Sequence, residues 1–372
     1  MPRNIVICCD GTGKELGRDQ TNVAKLHQLL DQDPSKQRSW YDPGVGTAKP
    51  SADSSRPKLS SLDRLRGLAF GWGLRENLRQ AYRFLADTHE DGDWIYLFGF
   101  SRGAFTVRAL AGLIYRCGLP ARPVEDSAIG AAVDLYWNGA TDDAISKFEK
   151  TVSVKRPMIH FLGIWDTVKS VGYLKPVCLR YTRHNRAVRA VRHALALAER
   201  RSFFQVTSWG VVASTLQGRA QDVKEVWFAG AHSDVGGGYP ERESGLANIC
   251  LVWMVSEAFD HGLRIDDGKA TDMGLRARSV NPGVYYPANE HSSLRGSWWL
   301  AEVIPRMELQ NPAGEHEGPK RHWVLKPTGM RNPHDSQKFP RGVRVHHSVR
   351  ERIARGAPVP RNLELEHCTW EP

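Results

Sequence analysis

The hydrophobic positions switch between two periods along the chain. Strand-like runs occur at Asn4–Cys9, residues 38–41, Trp94–Phe100, Ile159–Trp165 and residues 225–230, each followed by a glycine or a turn residue. The third, fourth and fifth are nearly unbroken apolar runs, as expected of strands buried on both faces of a parallel sheet. Between them the spacing becomes helical. Residues 74–88 place Leu74, Leu78, Ala81, Tyr82 and Leu85 on one face, and Arg102–Cys117 repeats the spacing before closing on Gly118 and Pro120. Strands alternating with helices predict a doubly wound α/β fold, its mostly parallel sheet flanked by helices.

Three stretches interrupt that scaffold. Residues 42–63 are rich in Pro, Gly and Ser and read as a loop. Residues 173–204 are strongly basic, carry a helical pattern in their second half and read as a helical cap insertion. From residue 266 onward prolines become frequent, and short helices are expected at 297–303 and 349–354. The expected division is a catalytic unit over residues 1–265, with 173–204 as a basic cap or lid. Residues 266–372 form a C-terminal extension packed on it.

The third apolar run continues directly into IYLFGFSRGAF, so Ser101 follows a buried strand and Gly103 opens a helix. Strand, tight turn with small neighbours, and helix form the setting of a nucleophile elbow. Gly99 and Gly103 answer a need for space, because the strand and helix approach so closely that side chains would clash. The helix dipole favours developing negative charge at Ser101, and the Arg102 backbone N–H is a natural oxyanion donor. The alternative is a structural serine in a glycine-rich turn.

A serine needs a base, usually a histidine held by a carboxylate. Asp166 follows the fourth run in FLGIWDTV, and His232 comes just after the fifth in WFAGAHSDVGGGYP. Ser101, Asp166 and His232 therefore cap strands in the order that α/β-hydrolases use. Asp166 could instead N-cap the segment after it, and Asp234 is a rival carboxylate better suited to pinning the glycine loop. The rival histidines are His193, as an alternative base, His291, and the pair His346 and His347. CCDGTG brings Asp10, Gly11 and Thr12 to the same sheet edge, where Gly11 and Thr12 can supply the second oxyanion donor. The same edge offers a different chemistry, with Asp10, Asp166, His232 and Asp234 holding a divalent metal for phosphoester hydrolysis. A hydrolase-fold binding protein without catalysis is the third reading.

Composition narrows the setting. With 41% hydrophobic and 25% charged residues, the 372-residue chain reads as globular, with room for one large domain or two. Its apolar runs stop at about half a dozen residues, far short of the ~20 that span a bilayer. MPRNIVICCDGTG lacks the longer apolar region of a secretory leader, so cytoplasmic synthesis is expected, with any export by a leader-independent route. The six cysteines have no Cys-x-x-Cys spacing and read as reduced thiols, with neither a disulfide framework nor zinc. The formal charge of +10 favours anionic partners such as phospholipid surfaces, or serves solubility alone. Part of it comes from Arg180, Arg183, Arg186, Arg189 and Arg192, which would spread around a helix rather than line one face. That segment reads as an interfacial lid on anionic lipid or as a solvated cap. Aromatic interleaving is absent, so no nucleic-acid binding is expected.

Six motifs in order, IVICCDGTG, YDPGVGT, GFSRGAFTVRALAGLI, FLGIWDTV, RHALALAERRSFF and VWFAGAHSDVGGGYP, resemble the DUF2235 family, including the Tle1-type phospholipase effectors of type VI secretion. The likeness covers residues 3–260, with HSSLRGSWW and VHHSVRERI also family-like. It implies an α/β-hydrolase fold and a serine esterase or phospholipase activity on a membrane glycerophospholipid substrate; no cofactor or metal is expected, and a secretion-system or immunity partner stays open. It also supports Ser101 as nucleophile. One departure is Ala198-Glu199, where family members often carry Asp-Glu. The combined expectation is a serine hydrolase that cleaves carboxylic esters with Ser101, Asp166 and His232.

Overall fold

A computed structural model of the chain describes residues 2–11, 19–44, 68–168, 179–202, 204–273, 289–294, 306–310, 320–324 and 329–372. Its main sheet contains β1 (Asn4–Cys9), β2 (Gln37–Asp42), β3 (Trp94–Phe100), β4 (Ile159–Trp165), β5 (Val188–Ala196), β6 (Asp222–Phe228), β7 (Val343–His346) and β8 (Cys368–Glu371). The order is β8-β7-β6-β5-β4-β3-β1-β2, and every neighbouring pair is parallel.

The unbroken apolar runs arise because alternate side chains of one strand enter different cores. On β1, Ile5, Ile7 and Cys9 join one core while Val6 and Cys8 join the other. The helices that cover these faces are α1 (Asn22–Leu29), α2 (Leu68–Thr88), α3 (Arg102–Cys117), α4 (Asp126–Trp137), α5 (Asp142–Thr151), α6 (His232–Gly236), α7 (Gly245–Asp260), α8 (Asp267–Asp272) and α9 (His347–Ala354). On one face α2, α3 and α4 bury Leu78, Leu110 and Ile129 with Ile7, Leu97 and Leu162. On the opposite face α1 and α7 bury Leu26, Leu251 and Met254 with Val6, Phe98 and Phe161. The expected apolar face of α2, from Leu74 to Leu85, is buried throughout.

The strand order reverses at β1, which lies between β2 and β3. In open α/β sheets such a switch point leaves a crevice beyond the carboxyl ends of the strands, where ligands bind. Asp10 and Gly11 follow β1 and Ser101 follows β3, so all three belong to this edge.

The basic segment departs from its expected form. Residues 188–196 are not a cap helix but strand β5 in the middle of the sheet, buried at eight of nine positions. VRAVRHALA forms a strand because its valines and alanines pack on both faces, while Arg189 faces solvent and the buried Arg192 finds partners. Arg192 is 2% exposed and donates to Glu257 Oε2 at 2.5 Å and to Asp222 Oδ2 at 2.7 Å. The lid reading therefore fails for residues 188–196; residues 169–178 lie outside the described residues. It follows that β5 intervenes between the strands carrying Asp166 and His232, which are not successive as expected.

At the far side, β7 and β8 come from the C-terminal segment and extend the sheet beyond β6. The helix expected at 349–354 is the body of α9, while residues 297–303 and the loop at 45–63 lie outside the described residues. Among the described residues no helix is long and apolar enough to cross a membrane.

Candidate active site

Ser101 occupies a backbone conformation that side chains rarely adopt, with φ 56° and ψ −116°, between β3 and α3. Such strain persists only where the surroundings enforce it, and it clusters at functional sites. Here the enforcement is close packing. A Cβ on Gly99 would lie 2.5 Å from the Gly103 carbonyl oxygen, and one on Gly103 only 2.0 Å from that of Cys9. Both glycines let α3 pack directly onto β1 and β3, which forces the sharp turn at Ser101. The Ser101 N–H donates to the Trp165 carbonyl at 3.1 Å, fastening the turn to the end of β4. Its side chain makes no capping hydrogen bond. Arg102 begins the helix, in the first turn where N–H groups lack a helical acceptor.

One residue past β4, Asp166 also has a positive φ, 40°, and is completely buried. Its Oδ2 accepts from His232 Nδ1 at 2.6 Å. Its Oδ1 accepts the Ala196 N–H at 3.1 Å. An unanticipated partner is Arg331, whose guanidinium grips both carboxylate oxygens, at 2.5 Å and 3.0 Å. The same guanidinium donates to the carbonyls of Ala196 and Phe204. Burial alone would raise the Asp166 pKa; Arg331 and then His232 hold it well below the usual carboxylate range. Asp166 is thus a fixed anion.

His232 opens α6, with its ring 4.6 Å from that of Phe100, the residue before Ser101, and 4.8 Å from Phe204. A Cβ on Gly236 would penetrate the Phe100 ring, so glycine is needed there for the loop to seat against the elbow. Glu199 accepts the His232 backbone N–H at 3.2 Å and pairs with Arg201. It is the acid of the Ala198-Glu199 pair, and it anchors the histidine from behind. Burial lowers the His232 pKa from the ordinary histidine value, against the opposing pull of Asp166. The His232 Nε2 has no hydrogen-bond partner among the described residues. A histidine held through Nδ1, with Nε2 left over and lowered basicity, can accept a proton near neutral pH.

The rival groups have other employment. His193 is buried in β5, with Nδ1–H donating to Glu225 at 2.9 Å and Nε2 accepting from the Thr167 N–H at 3.3 Å. Asp234 caps Ala231 and accepts from His291 at 2.6 Å, pinning the glycine loop. His346 caps α9 and stacks on Phe228, and His347 faces Glu351. Asp10 accepts from Thr21, Tyr41 and the Gly11 N–H. The Gly11 N–H expected in the oxyanion hole is therefore committed to Asp10, and Thr12 lies outside the described residues. Asp10, Asp166, His232 and Asp234 do not converge on one point, and the only three-donor His/Cys/Asp/Glu group among the described residues is elsewhere.

No local sequence signal marks Arg331, which lies 165 residues from its partner in a proline-flanked loop. Asp42, at the end of β2, is a second unanticipated acid. Burial pushes its pKa up to about 6 despite hydrogen bonds from Gly44 and Asn77.

The sheet order, the strained serine and the carboxylate-held histidine at the strand ends are those of an α/β-hydrolase-like protein. Comparison with known sequences then gives the family. The chain belongs to the family described as "T6SS, Phospholipase effector Tle1-like, catalytic domain", which matches residues 3–257. It is 37% identical over 219 residues to "Uncharacterized protein YEL023C" of Saccharomyces cerevisiae, covering 55% of this chain and 32% of that protein. The chain thus spans about a third of the relative's length. Among solved structures, it is similar to an uncharacterized protein from Pseudomonas aeruginosa, with a TM-score of 0.44, 19% identity, and coverage of 77% of this chain and 50% of that one. It is also similar to the Tle1 effector bound to the VgrG spike of the type 6 secretion system, with a TM-score of 0.46, 15% identity, and coverage of 88% and 92%.

Proposed function

We propose that the chain is a serine esterase that cleaves a carboxylic ester of membrane glycerophospholipids. The observation that carries this reading is the strained Ser101 turn, whose preceding residue Phe100 packs its ring 4.6 Å from that of a histidine held by a buried carboxylate. In this mechanism His232 Nε2 takes the Ser101 proton as Oγ attacks the ester carbonyl. Asp166 holds the Nδ1–H and balances the imidazolium that forms. The Arg102 N–H receives the oxyanion at the start of α3. His232 then protonates the leaving alcohol, and a water activated by the same nitrogen releases the fatty acid and frees Ser101. The substrate class is supported by the family's phospholipase description, and its effector description extends the proposal to delivery through secretion machinery.

The test is labelling with a fluorophosphonate probe, together with fatty-acid release from phospholipid vesicles. The wild type is expected to label and to release fatty acid, and both are expected to vanish in Ser101→Ala. Labelling that survives Ser101→Ala overturns the nucleophile. Labelling without release from any glycerophospholipid keeps the esterase and removes the substrate class.

A further inference from the structure

Away from the candidate active site, His334, Glu364 and His367 bring one donor atom each to within 4.8 Å of one another. They come from two separate segments. His334 lies on the loop that carries Arg331, and Glu364 and His367 lie on the stretch leading into β8. The segments are already joined: Asn362 donates to the Arg331 carbonyl at 2.8 Å and to that of Leu197 at 2.9 Å. The donors contact one another as well. His334 Nε2 accepts the Glu364 N–H at 2.9 Å, and His367 Nδ1–H donates to Glu364 Oε2 at 2.9 Å.

The geometry points to a zinc-class divalent metal site formed by His334, Glu364 and His367. Two imidazoles and one carboxylate form a donor set that suits Zn²⁺ and leaves a fourth position for water. Ligand bonds of roughly 2.0–2.2 Å put donors a little over 3 Å apart, so a pair at the 4.8 Å limit closes by roughly 1.5 Å while the His367–Glu364 pair, now at 2.9 Å, opens slightly. The side chains of Glu364 and His367, 62% and 63% accessible, have room for these adjustments. The ion replaces the hydrogen that His367 shares with Glu364: that hydrogen moves to Nε2, Nδ1 binds the metal, and Oε2 becomes the carboxylate ligand. His334 exchanges its bond from the Glu364 N–H for a bond to the metal through Nε2. Bound there, the ion ties the Arg331 loop to β8 and tightens the support of Asp166 from outside the reaction site. The site stands or falls independently of the proposed esterase.

Zn²⁺ titration of the full metal-free chain, followed by calorimetry and by thermal melting, tests the inference. One tight equivalent and a saturable rise in melting temperature are expected for the wild type. Glu364→Gln and the double variant His334→Ala/His367→Ala are expected to lose that equivalent and that rise, with circular dichroism unchanged. Cys368→Ser, which removes the thiol that donates to the Glu364 carbonyl, is expected to retain both. A wild type with no tight equivalent, or a double variant that binds as the wild type does, overturns the site.

Discussion

Two buried histidine–carboxylate pairs lie at neighbouring strands and have opposite fates. His232 with Asp166 and His193 with Glu225 share the same chemistry, at 2.6 Å and 2.9 Å, and burial lowers both imidazole pKa values. The difference is position. His193 lies within β5, where its second nitrogen receives the Thr167 N–H and its carboxylate also accepts the Trp209 N–H. Every polar atom of that ring is consumed in holding β5, β6 and the turn after Asp166 together. His232 lies beyond a strand end, so only its Nδ1 is engaged. A histidine becomes a candidate base when the fold leaves one nitrogen unused near a candidate nucleophile; pairing and burial alone do not make it one.

Substitutions can break this comparison, beginning with the largest effect. His232→Ala is expected to lower kcat toward a vesicle substrate by about 10⁴-fold or more, while His193→Ala stays within several-fold of wild type where it remains folded. Equal losses would erase the distinction between the two pairs. Because burial lowers the His232 pKa, the acid limb of kcat/KM is expected below the ordinary histidine value of about 6.5. A limb well above that value would count against His232 as the base.

Next is Arg331→Met. It strips the counter-ion from a carboxylate that is 0% exposed, and losing one partner of such a pair costs about 3–5 kcal/mol of stability. Urea denaturation measures the loss. The same variant sharpens the roles, because the Asp166 charge is no longer shared with a guanidinium. The pKa of His232 should rise, moving the acid limb to higher pH. A destabilised variant with an unmoved limb would make Arg331 structural only.

A smaller stability cost is expected of His193→Ala, about 1–3 kcal/mol, because Glu225 loses a buried donor. Asp42→Asn should have the smallest effect, and it should be stabilising. The folded pKa of about 6 lies above the unfolded carboxylate value. The protonated form is thus favoured by folding, and that contribution is lost as pH rises through 6. The neutral isostere should therefore gain about 1–2 kcal/mol at pH 8 and almost nothing at pH 4. A gain that does not vary with pH would assign the effect to hydrogen bonding instead of charge.

The elbow was legible because its determinants are consecutive. GFSRG, an unbroken strand before it and a helical face after it all act within a few residues, so local sterics dictate the turn at Ser101. The strand β5 was not legible as a strand. Its arginines read as a solvated cationic helix, because nothing local reveals that Glu257 and Asp222 wait to neutralise Arg192. Once those charges are paired, the valines and alanines of VRAVRHALA decide the conformation.

Taken by itself, the sequence determined the alternating α/β pattern, the serine turn and the glycine loop around His232. Each depends on period, turn sterics or residue size over a short span. Tertiary structure alone decided which histidine keeps a nitrogen unused, which carboxylate holds it, and that Arg331 holds the carboxylate. These are outcomes of partner competition between segments up to 165 residues apart. Hydrogen-bonding capacity belongs to a residue, but its allocation belongs to the fold.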